Sequence, residues 1–368
     1  MVSQFGRKVL VASVLTAVTG IANAAAPTLG EVLKASSIDV NGYIDASFTY
    51  RDTNGTASTS AATYRAYDVE RSSFNLHAVD LSVSSLPSSG FGGLLELQFG
   101  TDSNFNASQG ANDNAENVLQ GFLQYASGPF AVMAGKFTTL AGAEVAQQPA
   151  NTNFSRSFLY TLAIPVTHTG LRGTYTMSDT LKFTAGVNNG WDALRTSAKS
   201  SGADGKTIEL GVSATPVKLL SLSASAYVGN EAGATGESGE RKLLDIVATF
   251  NISDAMTAVL NYDMGEQENG VANGTDAKWD GLAGYFNFTT GNWRLSPRVE
   301  YFKDKDGFRT GTVQKLKEAT FTVGYTPAKN AELRFEVRED KSDQNVWVKE
   351  GTATDKQMSV AVEGLYKF

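Results

Sequence analysis

The sequence predicts an all-β protein, a transmembrane antiparallel β-barrel of about 16 strands. Segments in which apolar and polar residues alternate recur along the whole chain, as in strands with one face toward lipid and the other toward water. The connections between these segments alternate between short turns and long polar loops. No apolar run is long enough for a membrane-spanning helix, so strands are the elements expected to cross a bilayer.

The last segment shows the alternation most clearly. Its apolar residues are Met358, Val360, Val362, Gly364, Tyr366 and Phe368, and Gln357, Ser359, Glu363 and Lys367 lie between them. A soluble β-sandwich or β-helix also alternates. Such a protein would not place large apolar residues outward at nearly every second position while keeping the other face this polar. The two-residue period therefore favours a membrane barrel.

The same pattern locates the individual strands and their ends. Strands are predicted near residues 38–50, 73–84, 91–100, 117–126, 130–137, 169–177, 181–188, 206–214, 219–228, 242–250, 255–264, 281–289, 293–303, 315–325, 331–339 and 356–368. We expect the short turns and both termini on the periplasmic side and the long loops outside the cell. Near Ala78 to Leu81 the alternation slips by one residue, which predicts a β-bulge. Aromatic residues near the short turns fit an interfacial girdle: Tyr125, Tyr175, Phe288, Trp293, Tyr325 and Phe368.

The N-terminal segment has the features of a cleaved secretory signal peptide, residues 1–24. Arg7 and Lys8 precede an apolar stretch from Val9 to Ile21, and Ala22-Asn23-Ala24 supplies small residues before the cleavage site. The alternative is a buried N-terminal helix. After cleavage, residues 25–36 form a periplasmic segment in which Thr28 and Glu31 have the spacing of a helix capping box, and residues 37–368 form the barrel. The expected location of such a barrel is a bacterial outer membrane.

Charge and cysteine content exclude several classes of protein. The whole chain carries 31 Lys and Arg against 38 Asp and Glu, and removal of Arg7 and Lys8 leaves 29 − 38 = −9. An acidic surface disfavours nucleic acid as a partner. Without cysteine there is no disulfide framework, and neither a catalytic thiol nor a thiolate metal site is available.

The connection between the strands at 130–137 and 169–177, here called the third loop, is the longest. It contains Glu144, the polar run from Gln147 to Asn153, Ser155-Arg156-Ser157, and an apolar stretch from Phe158 to Ile164. A barrel of this size has a lumen too wide for wall side chains to fill. We therefore expect the third loop to fold inward and narrow the pore. The alternative is an external loop or a lobe that contacts other subunits of a trimer.

Charged residues are predicted to face the lumen, most of them on three consecutive strands near the C-terminus. They have two interpretations: a ladder of ion pairs that stiffens the wall, or a patterned field along the permeation path. The slight excess of acidic residues predicts a mild preference for cations. The candidate pore-lining and constriction residues are Glu144, Arg156, Arg172, Arg294, Arg298, Glu300, Glu318, Arg334, Glu336 and Arg338.

The sequence gives little support for a catalytic or metal site. His77 is predicted to face the lumen and His168 to end the third loop, but no nucleophile is spaced to act with either. Asp102-Ser103-Asn104 resembles the start of a calcium loop, although Ala107 replaces the required glycine. No enzyme activity, metal or cofactor is predicted.

Several segments resemble the β-barrel porin family 2, the OmpL-like porins. They are Gly135-Lys136-Phe137-Thr138, Asn153-Phe154-Ser155-Arg156-Ser157, His168-Thr169-Gly170-Leu171-Arg172, Asn188-Asn189-Gly190-Trp191-Asp192, Arg298-Val299-Glu300-Tyr301-Phe302 with Asp304 and Gly307, and Glu332-Leu333-Arg334-Phe335-Glu336-Val337-Arg338 with Asp340.

This resemblance implies a pore-forming protein in the outer membrane of a Gram-negative bacterium, surrounded by the lipids of that membrane. The chain is also similar to general trimeric porins in strand number, in third-loop length and in its terminal Phe368. That similarity implies insertion by the barrel-assembly machinery through the C-terminal strand. For the assembly it leaves two alternatives open, a homotrimer and a monomer. The third loop departs from the general porins because Glu144 is nearly its only carboxylate. A strong transverse field at the constriction is therefore not expected.

The leading functional hypothesis is a water-filled channel for passive diffusion of small hydrophilic solutes and ions. One alternative is a substrate-specific channel in which the group from Asn188 to Asp192 binds a sugar or an organic acid, although this group is first interpreted as a loop anchor. Another is a barrel that does not conduct and serves a structural or adhesive role.

Overall fold

The computed structural model describes residues 28–54, 63–108, 117–196, 205–233 and 237–368. The predicted signal peptide, residues 1–24, lies outside these ranges. Residues up to Ile38 form an N-terminal unit separate from the one that begins at Asp39. Its helix α1 spans Leu29–Ala35, and the predicted capping box is present. The Thr28 amide donates to the Glu31 carboxylate at 2.7 Å, and the Glu31 amide donates to the Thr28 hydroxyl at 3.3 Å.

The second unit consists mainly of strands. They are β1 (Asp39–Arg51), β2 (Ser72–Ser85), β3 (Gly90–Phe99), β4 (Val118–Ser127), β5 (Phe130–Thr138), β6 (Thr167–Ser178), β7 (Leu181–Asn188), β8 (Thr207–Val217), β9 (Leu220–Ala232), β10 (Ser238–Ser253), β11 (Met256–Gln267), β12 (Ala277–Thr290), β13 (Trp293–Asp304), β14 (Gln314–Ala328), β15 (Ala331–Ser342), β16 (Trp347–Lys349), β17 (Thr352–Thr354) and β18 (Lys356–Lys367). A short helix α2 spans Ser103–Asn106. No helix among the described residues is long and apolar enough to span a membrane.

Sixteen of the described strands form one closed antiparallel barrel, which confirms the predicted fold class. Each strand pairs with its neighbours in sequence, except that β15 pairs with β18 and β18 pairs with β1 to close the barrel. At this seam the amide of Gly42 donates to the carbonyl of Phe368 at 3.1 Å, and the amide of Phe368 returns the bond at 3.0 Å. The short strands β16 and β17 form a separate hairpin in the last long loop.

The predicted alternation of side chains is present on the wall. On β15 the residues Leu333, Phe335 and Val337 are exposed on the outer face, whereas Arg334 and Glu336 are buried on the inner face. Pairs of aromatic rings lie on the outer face near the short turns, with centroids 4.8 Å apart for Phe91 and Tyr125 and 4.5 Å apart for Trp293 and Tyr325. These rings fit an interfacial girdle.

The register of β2 shifts close to the position that the sequence indicates. Asp45 pairs with Ala78 and Ala46 pairs with Leu76, so His77 has no partner across the strands. A β-bulge adds one residue to a strand, so that two consecutive side chains can point toward the same face of the sheet. His77 and Ala78 are consequently both buried on the lumen side.

Candidate functional site: the lumen and its third loop

The third loop, residues 139–166, joins β5 to β6 and packs against the inner face of the wall. It contains a 3₁₀ turn at Gln148–Ala150 and a single π-helical turn at Leu159–Ala163. Most of its backbone is irregular, so its N–H and C=O groups need partners from outside the loop. Charged side chains of β13 and β15 supply many of these partners.

Two carboxylates of the wall accept hydrogen bonds from consecutive amides of the loop. Glu336 accepts from the amides of Phe154 at 2.7 Å and Ser155 at 3.0 Å. Glu300 accepts from the amides of Phe158 at 2.6 Å and Leu159 at 2.5 Å. Hydrogen bonds to an ionised acceptor are stronger than neutral ones, so each carboxylate fixes a two-residue step of the loop.

Four arginines of the same strands donate to loop carbonyls. The distances are 3.0 Å from Arg294 to Thr152, 2.6 Å from Arg298 to Ser155, 2.8 Å from Arg334 to Asn151, and 2.5 Å from Arg338 to Arg156. The wall therefore binds both donors and acceptors of the loop backbone. We call these six side chains the clamp: Arg294, Arg298, Glu300, Arg334, Glu336 and Arg338.

Ion pairs compensate the charges of the four clamp arginines. Arg298 lies between Glu144 of the loop at 2.7 Å and Glu318 of β14 at 2.8 Å. The carboxylate of Glu144 also accepts hydrogen bonds from the amide of Ser157 at 2.8 Å and from its hydroxyl at 2.6 Å. Buried ions are tolerated only when they are paired and hydrogen-bonded, and Arg298 and Glu144 meet this condition.

The two remaining predicted residues lie elsewhere. Arg156 is inside the loop, where its guanidinium donates to the carbonyls of Val145 and Ala146 at 3.1 and 3.2 Å and lies over the ring of Tyr67 at 5.0 Å. Arg172 of β6 forms a two-pronged ion pair with Glu209 of β8, at 2.6 and 2.7 Å. Nine of the ten predicted residues are buried, and Arg294 is partly exposed.

A segment of the first long loop also enters the lumen, which the sequence did not predict. Arg65 donates to Asp340 at 3.0 and 2.8 Å and pairs with Asp68. The hydroxyl of Tyr67 is 2.7 Å from that of Tyr160 in the third loop. Burial opposes ionisation of Asp68, but the charge of Arg65 outweighs it and holds the pKa of this carboxyl below its ordinary value. The sequence feature that could have indicated the position of this segment is the presence of aromatic residues within a polar loop.

An apolar core lies inside the barrel, between the third loop and the wall. Leu159 contacts β12 at Gly281, where a Cβ atom would lie 2.4 Å from the leucine side chain. The indole of Trp279 donates to the carbonyl of Ala163 at 3.1 Å. Together with the clamp, these contacts hold the loop along its whole length. The main members of the core are Phe158, Leu159, Tyr160, Leu162, Ile164, Trp191, Trp279, Phe302 and Trp347.

The opposite part of the inner wall is different in composition and exposure. The inner faces of β6 to β9 carry mostly small hydroxyl side chains toward the short-turn end, and these remain partly or fully exposed. We call them the hydroxyl sector: Thr174, Thr184, Ser213, Thr215, Ser221 and Ser223. One exposed charge, Lys182 of β7, lies among them opposite Ser213. Further round the wall, a cavity of about 150 Å³ separates the third loop, at Glu144, Asn151 and Thr152, from Tyr285 and Asn287 of β12.

Comparison with known proteins identifies the family to which this barrel belongs. The family described as "Putative beta-barrel porin-2, OmpL-like" matches residues 37–368. The chain belongs to this porin family. No curated protein sequence matches it. The family and the fold are those of outer-membrane porins, which are channels rather than enzymes.

Solved structures share the fold at low sequence identity. The outer membrane channel DcaP of Acinetobacter baumannii is 13% identical, with a TM-score of 0.64 over 90% of this chain and 97% of that chain. OmpT, an outer membrane protein of Vibrio cholerae in its trimer form, is 14% identical, with a TM-score of 0.63 over 90% and 99%. A mutant of the Rh. blastica porin is 14% identical, with a TM-score of 0.54 over 90% and 100%.

In this porin the group from Asn188 to Asp192 anchors the end of the third loop. The Asp192 carboxylate accepts hydrogen bonds from the amides of Val166 at 2.7 Å and Thr167 at 2.9 Å. Burial raises the pKa of Asp192 above its ordinary value, although these two amides act in the opposite direction. The ring of Trp191 lies beneath the guanidinium groups of Arg241 at 5.1 Å and Arg309 at 5.3 Å.

The bulged His77 joins three elements of the porin wall. One ring nitrogen is 2.7 Å from the hydroxyl of Ser47 on β1, and the other is 2.8 Å from Asp102 beside α2. Nothing in the sequence spacing indicated this serine–histidine–aspartate chain. All three residues are buried, and the ring of Phe154 packs edge-on against His77 at 5.3 Å. Asp102, the first residue of the calcium-like motif, is therefore bound to a histidine.

His168 is also buried. Its ring stacks on Tyr227 with centroids 5.0 Å apart, and its Nε2 lies 3.4 Å from the hydroxyl of Thr139. Among the described residues, no group of three or more His, Asp or Glu side chains could hold a metal ion.

Proposed function

We propose that this porin is a channel for passive diffusion of small hydrophilic solutes and ions, and that the path follows the hydroxyl sector rather than the charged wall. The observation that carries this proposal is the unequal cover of the inner wall. The third loop lies over the clamp, whereas hydroxyl side chains such as Ser213 and Thr215 stay exposed. Hydroxyl groups exchange hydrogen bonds with water and with polar solutes without imposing a fixed charge.

In this proposal the predicted pore-lining charges act mainly by holding the third loop at its constricting position. Glu144 alone among them borders the cavity of about 150 Å³ beside β12. Its charge is already compensated by Arg298 at 2.7 Å. The field of Glu144 in this cavity is therefore weak, and we expect only a mild preference for cations.

The decisive experiment is single-channel recording of the refolded mature protein in a planar bilayer under a salt gradient. Discrete open levels with a small reversal potential on the cation side are expected. Silence from protein that is shown to be folded would contradict the proposal and would favour a non-conducting barrel that acts through its external loops.

A substrate-specific channel is the second candidate, favoured by one cluster near the long-loop end. Arg241 and Arg309 lie over the rings of Trp191 and Phe308, at 5.1 to 5.9 Å. Arginines beside aromatic rings suit the carboxylate and the apolar face of a small organic acid. Saturable flux that competitors block would favour this candidate, whereas flux linear in concentration would favour simple diffusion.

The assembly of the protein belongs to the same proposal. We infer a homotrimer in the outer membrane, supported by the trimer form of the structurally similar OmpT. We also propose that the barrel-assembly machinery recognises the terminal strand β18 and Phe368. Cross-linking of the protein in native membranes tests the first point, and assembly of a Phe368→Ala variant tests the second.

A further inference from the structure

Five lysines form a row on the outer face of the barrel, at the long-loop ends of β13, β14, β15 and β18. Four of them are exposed and Lys303 is partly exposed. They differ from the clamp because they lie on the opposite side of the wall and point away from the lumen. We call them the lysine row: Lys303, Lys315, Lys317, Lys341 and Lys356.

The strand register places these lysines directly opposite one another. Lys303 faces Lys315, Lys317 faces Lys341, and Lys341 also faces Lys356 on its other side. Like charges directly opposite on adjacent strands destabilise a sheet. Three such pairs in one region therefore need a source of compensation.

The protein supplies little of that compensation. Glu339 lies 3.9 Å from Lys356, the one ion pair within 4 Å between a lysine of the row and a described residue. The carboxylate of Asp343 accepts the backbone amide of Lys315 rather than its ammonium group. Asp280 faces Lys303 across the strands but pairs with Lys305 instead.

Neighbouring lysines on the same rim behave differently. Lys242 pairs with Glu240, Lys278 lies 3.7 Å from Glu266, and Lys305 pairs with Asp280. The rim of β10 to β13 thus carries its own counter-ions. Among the described lysines at the long-loop ends of β10 to β15 and β18, those without a described carboxylate within 4 Å all belong to the lysine row.

The row lies immediately beyond the apolar belt. Along β13 the outer face continues from Val299 and Tyr301 to Lys303, and along β14 it continues from Phe321 and Ala319 to Lys317. This is the order of residues expected where lipid tails end and headgroups begin. Long loops mark the outer end of barrels of this class, so the headgroups at this depth are those of the outer leaflet.

We propose that the lysine row binds the phosphate groups of an anionic lipid in the outer leaflet. A phosphate placed between opposed ammonium groups accepts charge-assisted hydrogen bonds from both and converts their repulsion into attraction. A lipid is the occupant because the row lies on the lipid-facing surface, outside the permeation path. Its acyl chains would rest on the apolar belt below.

The test uses the refolded mature protein in neutral detergent, with bis-phosphorylated lipid A as the probe. Binding is measured by native mass spectrometry and by the shift in melting temperature. Dephosphorylated lipid A and inorganic phosphate are the comparison ligands. The variant Lys315→Gln/Lys317→Gln/Lys341→Gln removes the centre of the row. The matched control Lys242→Gln/Lys278→Gln/Lys305→Gln removes the same number of lysines, each of which already has an acidic partner.

The expected result is that phosphorylated lipid stabilises the wild type and the control, and that the row variant binds it roughly a hundredfold more weakly. Without lipid the row variant should melt at the same temperature as the wild type or higher, because repulsion has been removed. Equal stabilisation by dephosphorylated lipid, or by inorganic phosphate alone, would overturn the lipid assignment. Equal losses in the two variants would overturn the assignment to the row.

Discussion

The inner wall of the barrel has two regions that share the same alternation of side chains but differ in which residues face the lumen. On β13 and β15 most inward positions carry a charge, and six of these side chains, the clamp, bind the backbone of the third loop. On β6 to β9 most inward positions toward the short turns carry small hydroxyl groups, with Lys182 as a charged exception. The difference shows that charge on a lumen-facing position can serve to hold a loop in place.

The two regions also differ in what a substitution would do. Each clamp residue contacts backbone groups of a loop that has little regular structure of its own, so its loss leaves buried groups without partners. Substitutions in the hydroxyl sector would leave few buried groups without partners. We therefore expect stability and pore size to respond to changes in the clamp, and ion selectivity to respond to changes in the hydroxyl sector.

The largest effect is expected from Arg298→Ala. This change leaves Glu318 and Glu144 buried without their counter-ion, at a cost of about 3–5 kcal/mol, and frees the carbonyl of Ser155. Single-channel conductance should rise as the third loop loosens, and the folded band should unfold at a lower temperature on gels. The matched control is Arg172→Ala, which breaks the buried pair with Glu209. It should lower stability without raising conductance, and an equal rise in both would refute the role of the clamp.

A smaller effect is expected from Glu336→Gln. The glutamine side chain has the size of glutamate but lacks the negative charge of the carboxylate to which the backbone amides of Phe154 and Ser155 donate. The free energy of unfolding should fall by about 1.5–3 kcal/mol. Current noise in the open channel should increase because this part of the loop becomes mobile. Glu209→Gln, away from the loop, is the control. Unchanged noise in Glu336→Gln would mean that the apolar core alone holds the loop.

Ser213→Asp and Ser223→Asp test the other region. These positions lie on the exposed inner wall, so a new carboxylate should shift the reversal potential toward cations while changing stability by no more than about 0.5 kcal/mol. Glu318→Gln on the charged wall is the comparison, and it should leave the reversal potential almost unchanged. The opposite ranking of the two shifts would place the path along the clamp.

The smallest expected effect is the pH dependence of the stability that Asp68 of the first long loop contributes. Arg65 holds the pKa of Asp68 below its ordinary value, so the folded carboxylate is favoured relative to an unfolded value of about 3.9. Its contribution to stability is complete above that unfolded value and is lost as pH falls through the lower, folded pKa. Asp68→Asn should therefore melt below the wild type at pH 7, and the gap should close below about pH 4. A gap that is constant with pH would exclude this titration.

The sequence predicted the barrel well because a two-residue period directly reports which face each side chain occupies. It placed Arg298, Arg334 and Glu336 on the lumen side, but it could not identify their partners. Those partners are backbone atoms of the third loop, 143 to 183 residues away in sequence, and no periodicity encodes them.

The same limit explains the other omissions. Arg65 binds Asp340 across 275 residues, and Ser47 meets His77 only because a bulge turns the histidine inward. The sequence analysis also missed the hairpin of β16 and β17, because a strand of three residues is too short to show a two-residue period.

The seam between β1 and β18 has a consequence for how the protein is made. Until β18 has joined, β1 and β15 each have a free edge of unpaired backbone groups, which lipid cannot satisfy. A chain truncated before β18 would therefore lack a stable place in the bilayer. Closure joins two strands that are far apart in the sequence, and both must be in place before their pairing yields any stabilisation. Insertion should accordingly be a late and nearly all-or-none event, and the exported chain must be protected from aggregation until its final strand is available.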